Sequence, residues 1–221
     1  MKTSYRRKYL DVLLDHYKHL YTGVVLDIGG RDRGKFIKPK KNVEKWINAD
    51  INEKYDPDIV VDVAEMSEIQ SNSIDVINAI ELFEHVKKIN KGINECYRVL
   101  KEGGIIIISV PFMAHIHADP NDYQRWTYLK WQEELLKRGF NIDKFIIIGK
   151  FFTHLSQNFK ELFKAVERSK YKGSGIFLRI INPLLDKLVK LDSKSFVKND
   201  LVLNNYHNGY LIIAKKPNRK T

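Results

Sequence analysis

Residues 103–111 read GGIIIISVP, and four isoleucines in a row leave little freedom. A strand with one wet face alternates apolar and polar residues, so an unbroken β-branched run suits a strand covered on both faces. Gly103 and Gly104 supply the turn that opens it and Pro111 closes it. The same grammar recurs upstream in VVLDIGG at 24–30, WINADI at 46–51, DIVVDV at 58–63 and SIDVINAI at 73–80. Helical periodicity fills residues 89–100 and the stretch TYLKWQEELLKRGF, while FIIIG and GYLIIAKK read as two further strands. Strands alternating with helices in this way predict an α/β fold, doubly wound around a mostly parallel sheet.

The chain has 221 residues and is 43% hydrophobic, which suffices for one domain spanning 1–221 with a single large core. About sixty residues separate the last two strands, too many for a plain connection. A helical insertion is expected at about 151–205, with Leu155, Phe159, Leu162, Phe163 and Val166 on one helical face. Asn182 is read there as an N-cap, with Pro183 at the first helical position. The excess of apolar faces makes the insertion a candidate lid or docking element. Its lysines suit an anionic membrane surface.

No secretory h-region and no apolar run of about 18 residues occurs, so a cytoplasmic protein is expected, with at most a peripheral membrane contact. Cys96 is the single cysteine, which excludes an intrachain disulfide and a cysteine-based zinc cluster. The formal charge of +11 favours acidic partners. Its lysines are scattered and carry no RNA-binding signature, so nucleic acid is not favoured.

In an open parallel sheet, ligands sit beyond the carboxyl ends of the strands. Asp27, Asp50, Asp62 and the loop after Ile80 would converge there. Carboxylates in such a place can accept from ribose hydroxyls, hold an amine or meet an adenine amino group. GGRDRG at 29–34 does not fit the dinucleotide pattern G-x-G-x-x-G, which ranks a nicotinamide enzyme lower.

On VLDIGG, NADI, SIDVINAIELFEHV and NECYRVLKEGGIIIISVP, taken in that order, the chain resembles the class I S-adenosylmethionine-dependent methyltransferases of seven-stranded Rossmann-like fold. That resemblance implies strand order 3-2-1-4-5-7-6 with an antiparallel seventh strand, and S-adenosylmethionine as cofactor. It places Gly29 and Gly30 against the methionine portion with Asp27 supporting the loop. Asp50 and Ile51 fall at the ribose, Asp62 and Val63 at the adenine, and Ala79 and Ile80 at the end of the fourth strand. Arg31 and Arg33 depart from it, standing where glycine is common in the family.

Directly after the fifth strand comes PFMAHIHADPNDYQRWT, dense in proton-handling groups. This segment resembles methyltransferases of surface-polysaccharide pathways through His117, Pro120, Asp122, Tyr123, Arg125 and Thr127. The expected reaction is O-methylation of a sugar or other small hydroxyl acceptor. His117 is the first choice for the base, oriented by Asp119 or Asp122, with His115, Asp122, Tyr123, Arg125 and Trp126 shaping the acceptor pocket. His85 either faces the reaction centre or anchors a turn through a backbone hydrogen bond. No metal is expected. Two other classes stay open: a nucleic-acid methyltransferase, suggested by the charge, and a non-catalytic protein that keeps the fold, suggested by Arg31 and Arg33.

Overall fold

The computed structural model describes residues 3–30, 35–117, 121–169 and 174–218, with side chains of 174–180 excepted. Seven strands form one sheet: β1 (Gly23–Ile28), β2 (Val43–Asp50), β3 (Ile59–Val60), β4 (Ile74–Ile80), β5 (Leu100–Pro111), β6 (Asn141–Ile148) and β7 (Gly209–Lys215). Their order is β3-β2-β1-β4-β5-β7-β6. Strands β1 to β5 pair in parallel, and β7 runs antiparallel between β5 and β6. This is the expected Rossmann-like sheet. The third strand is shorter than the sequence suggests, because Asp62 turns away to bridge Glu65.

Both faces of the sheet are packed, which is what the isoleucine run demands. Ile106 and Ile108 join the core on one face with Leu26, Ile77 and Ile212. Ile107 joins the core on the other with Val25, Val76 and Ile213. The first face is covered by α2 (Ile89–Val99) and α3 (Tyr128–Lys137), through Ile93, Cys96, Trp131 and Leu135. Leu10 and Leu14 of α1 (Tyr5–His16) cover the second. Cys96 is fully buried in this core. Each of these elements turns its apolar stripe to the sheet and thereby removes it from water.

The insertion is helical: α4 (Phe151–Arg168), α5 (Ser174–Leu188), a 3-10 turn at Val189–Ser193 and the short α6 (Ser195–Lys198). Asp192 closes its N-terminus by accepting from the backbone N–H groups of Lys150, Phe152 and Thr153 at 2.9, 2.8 and 3.0 Å. One reading of this region is corrected. Pro183 lies inside α5 and not at its start, since the helix begins at Ser174 and the Oδ1 atom of Asn182 makes no capping bond. The proline removes one backbone donor from a helix held by packing against α4. The face that α4 buries carries Thr153, Ser156 and Lys160, while Phe159 and Leu162 of the expected apolar face remain exposed. Among the described residues no helix is long and apolar enough to cross a membrane.

Candidate functional site

A cavity of about 740 Å³ opens at the carboxyl ends of β1, β2 and β4. Its first half is built on β1. Gly29 follows the strand with φ +67°, and a Cβ on Gly30 would lie 2.2 Å from the Asp27 carboxyl group, so the chain folds back over Asp27 only because both positions are glycine. Asp27 is 2% exposed. Its carboxylate is held by Asn78 Nδ2 at 2.6 Å and by Lys38 Nζ at 2.7 Å, while Tyr21 donates to the same asparagine at 2.7 Å. A buried acid at a strand end thus has the partners it requires.

Asp50, at the end of β2, and the exposed Asp62 line the same half of the cavity. Asp50 accepts from Asn52 N–H at 2.9 Å and Asp62 from Ala64 N–H at 2.8 Å, which orients each carboxylate through its own turn. Ile51, 65% exposed, and the buried Val63 give this half apolar walls beside its acids. Ile80 lines the cavity as well. Ala79 does not. It packs fully buried in the core, because alternate residues of β4 point to opposite faces. Arg31, Arg33 and Gly34 lie outside the described residues.

The second half of the cavity is formed where the segment after β5 docks on the turn after β4. Tyr123 N–H donates to the Glu84 carbonyl at 2.8 Å. Gln124 Nε2 donates to the carbonyls of Phe83 and Val86 at 3.0 and 2.7 Å. These bonds bring His117 to His85 with ring centroids 5.5 Å apart. His85, His117 and Tyr123 all line the cavity. His85 also makes the anchoring bond considered for it, from Nδ1 to the Asn121 carbonyl at 2.5 Å. Asp122 accepts from His117 N–H at 3.0 Å and stands 3.6 Å from its Nδ1.

The other acceptor-side candidates stand differently. Asp122 and Arg125 form a bidentate ion pair, and that guanidinium holds the Asp122 carboxyl down at about 2. Trp126 lies tilted against Trp131, ring centroids 5.0 Å apart, and packs on the core. These three brace the segment and do not line the cavity. His115 is exposed and outside it too, its carbonyl facing His117 Nδ1 at 3.2 Å. Asp119 and Pro120 lie outside the described residues.

Two acids in ELFEH were not singled out by the sequence. Glu81 has φ +56°, a conformation rare for a residue with a Cβ, and lines the cavity at the end of β4. It pairs with Arg6 of α1 and accepts from Ser109 Oγ at 2.8 Å. Glu84 is 1% exposed, and neither carboxyl oxygen has a hydrogen-bond partner. Burial, and then the nearby Glu81, push its carboxyl up to about 8. Arg6, Arg7, Lys38, Lys87, Lys88 and Lys164 add a basic rim to the cavity. The spacing of two acids ahead of a histidine at the end of a buried strand was the available signal.

Residues 36–108, from the approach to β2 through most of β5, match the family model described as a methyltransferase domain. A search of curated proteins found no match. Among solved structures, the chain is similar to an S-adenosylmethionine-dependent methyltransferase from Archaeoglobus fulgidus, with TM-score 0.56, 20% identity, and coverage of 95% of this chain and 94% of that one. It is similar to the Burkholderia thailandensis 1,6-didemethyltoxoflavin N1-methyltransferase, solved with its substrate and S-adenosylhomocysteine, at TM-score 0.55 and 13% identity over 96% of this chain and 79% of that one. A [4+2]-cyclase, SpnF, matches at TM-score 0.61 and 13% identity, covering 95% and 81%. Such identities establish the fold, and the cyclase shows that the fold alone does not name a reaction. The sheet order is that of the seven-stranded Rossmann-like methyltransferase fold, and the segment from the approach to β2 through most of β5 is similar to a methyltransferase domain.

Proposed function

We propose that this protein transfers a methyl group from S-adenosylmethionine to a hydroxyl of a small, anionic acceptor such as a nucleotide-linked sugar. The observation that carries this reading is one continuous cavity joining Asp27, Gly29, Gly30, Asp50 and Asp62 at one end to His85, His117 and Tyr123 at the other. A volume of about 740 Å³ lies within the range of small-molecule sites.

The donor chemistry of the first half suits the cofactor. Asp50 accepts from the ribose hydroxyls, Asp62 from the adenine amino group, and Ile51 and Val63 flank the base. Gly29 and Gly30 let the methionine portion approach bare backbone, with Lys38 and Asp27 supplying one charge of each sign for its carboxylate and ammonium. When bound, the cofactor supplies an electrophilic methyl group on a sulfonium.

The remaining task is to aim an acceptor oxygen at that methyl and to remove its proton as the bond forms. His117 activates the hydroxyl, in the simplest form by taking that proton at Nε2, because its Nδ1 already faces the His115 carbonyl and Asp122. Tyr123, half exposed at the rim, shapes the acceptor's entry. The basic rim favours an acceptor that carries phosphate, and Lys164 brings α4 of the insertion to the mouth as part of a lid. A glycolipid acceptor would add a peripheral contact with an anionic membrane.

Incubation with methyl-labelled cofactor and separate pools of nucleotide-sugars, glycolipids and RNA tests the reading. Label is expected in the nucleotide-sugar or glycolipid pool. Label confined to RNA would replace the acceptor assignment with a nucleic-acid one.

A further inference from the structure

We propose that Glu84, His85 and His117 bind a first-row divalent transition-metal ion at the acceptor end of the cavity. One ligand atom from each lies within 4.8 Å of the others. The Glu84 Oε1 atom stands 3.8 Å from His85 Nε2 and 4.0 Å from His117 Nε2. Donors about 2.1 Å from a shared tetrahedral ion are roughly 3.4 Å apart, so small side-chain rotations close the site.

Three features point to a cation and not to a chance cluster. The first is the Glu84 carboxyl, buried with no hydrogen-bond partner on either oxygen, which is costly unless something positive sits against it. The second is the tautomer of both histidines. His85 Nδ1 faces the Asn121 carbonyl and His117 Nδ1 faces the His115 carbonyl and the Asp122 carboxylate. Acceptors there require Nδ1 to carry the proton, which leaves both Nε2 lone pairs aimed toward Glu84. Orientation of a ligating imidazole by an acceptor on its other nitrogen is the usual outer support of a metal site. The third is the docking of the 121–124 segment on the turn at 83–86, which fixes ligands from two distant stretches of chain against each other.

Two imidazoles and one carboxylate select manganese, cobalt, iron or zinc over magnesium and calcium, which prefer all-oxygen sites. Three protein ligands leave coordination positions open toward the cavity. This inference rests on the methyltransferase reading for its use. An acceptor hydroxyl bound at an open position loses its proton to water, its oxygen pair forms the bond to the methyl carbon, and the breaking S–C bond leaves its pair on sulfur. The Nε2 of His117 is then a ligand, and the activation assigned to it passes through the ion.

The test uses the full chain without a histidine tag, stripped with a chelator and titrated with Co²⁺ alone while visible d–d absorbance is followed. One saturable site is expected, resistant to a tenfold excess of Mg²⁺. Glu84→Gln and His117→Asn should each weaken it at least tenfold, whereas His115→Ala should bind Co²⁺ as the wild type does. Binding of S-adenosylhomocysteine by each variant confirms that it is folded. Absence of a saturable site, or binding unchanged in both ligand variants, overturns the proposal, and methyl transfer without an added ion would then leave His117 as a free base. A cobalt site in a protein that labels no acceptor pool would uphold the ion and remove the methyltransferase use of it.

Discussion

Charged residues in this protein are spent on two different tasks, and their partners separate them. Glu134 of α3 is held by Lys130 at 2.7 Å and by Arg138, one turn to either side, and hydrogen bonds from these cations lower its carboxyl to about 2. An acid whose folded value lies below its ordinary 4.5 stabilises the fold above that ordinary value, and loses the contribution as pH falls toward 2. Glu134→Gln should therefore lower the denaturation midpoint at pH 6, and the gap from the wild type should close as the pH is brought from about 4.5 to 2. A gap independent of pH would remove the ion pairs as its cause. Glu84 is the opposite case, an acid that burial and Glu81 disfavour in its charged form, with Arg6 and Arg125 opposing them from a distance and no hydrogen bond to either carboxyl oxygen. Structural acids have hydrogen-bond partners here, and the one without lies buried beside His85 and His117 of the cavity wall.

At the scale of elements, the strands were legible because burial on both faces leaves a one-dimensional trace. The run Ile105–Ile108 lies in the middle of the sheet, and the acids at 27 and 50 stand at strand ends as read. The short β3 and the early start of α5 were less legible, since both depend on neighbours that cut or extend a local pattern. Half of the acceptor-side reading needed three dimensions. Asp122, Arg125 and Trp126 share a segment with His117, yet ion pairing and aromatic packing turn them into braces. Glu84 reads locally as a surface acid and is buried only because residues 40 positions downstream fold over it. Gln124 holds that fold-over with two hydrogen bonds. Gln124→Ala should cost about 2 kcal/mol of stability, by leaving two carbonyls without their donor. It should also reduce turnover several-fold while cofactor affinity stays unchanged. Chemical denaturation and initial rates check this, and loss of cofactor affinity would show that the two halves of the cavity are not independent.

Across the whole molecule, α1 returns to the carboxyl edge of the sheet and closes the cavity from the N-terminal side. Arg6 reaches Glu81 at the end of β4, and both side chains are largely buried. Burial of such a pair adds little by itself, but removal of one member strands the other. Arg6→Met should destabilise the protein by about 3 kcal/mol, and Arg6→Met with Glu81→Gln should recover most of that loss. Calorimetric unfolding decides the point, and no recovery in the double variant would show that Arg6 acts through other contacts. The insertion adds Lys164 to the same mouth, so α1 and the insertion converge on one opening.

The central claim is that this opening leads to two adjoining subsites, a cofactor half set by β1 to β3 and an acceptor half set by the segments after β4 and β5. Isothermal calorimetry of S-adenosylhomocysteine with three proteins tests it most directly. One molecule should bind per wild-type chain. Asp50→Ala should weaken binding roughly 10- to 100-fold through loss of charge-assisted hydrogen bonds. His117→Ala should keep wild-type affinity while losing about 100-fold in turnover. No binding to the wild type, or equal affinity in Asp50→Ala, would contradict the account.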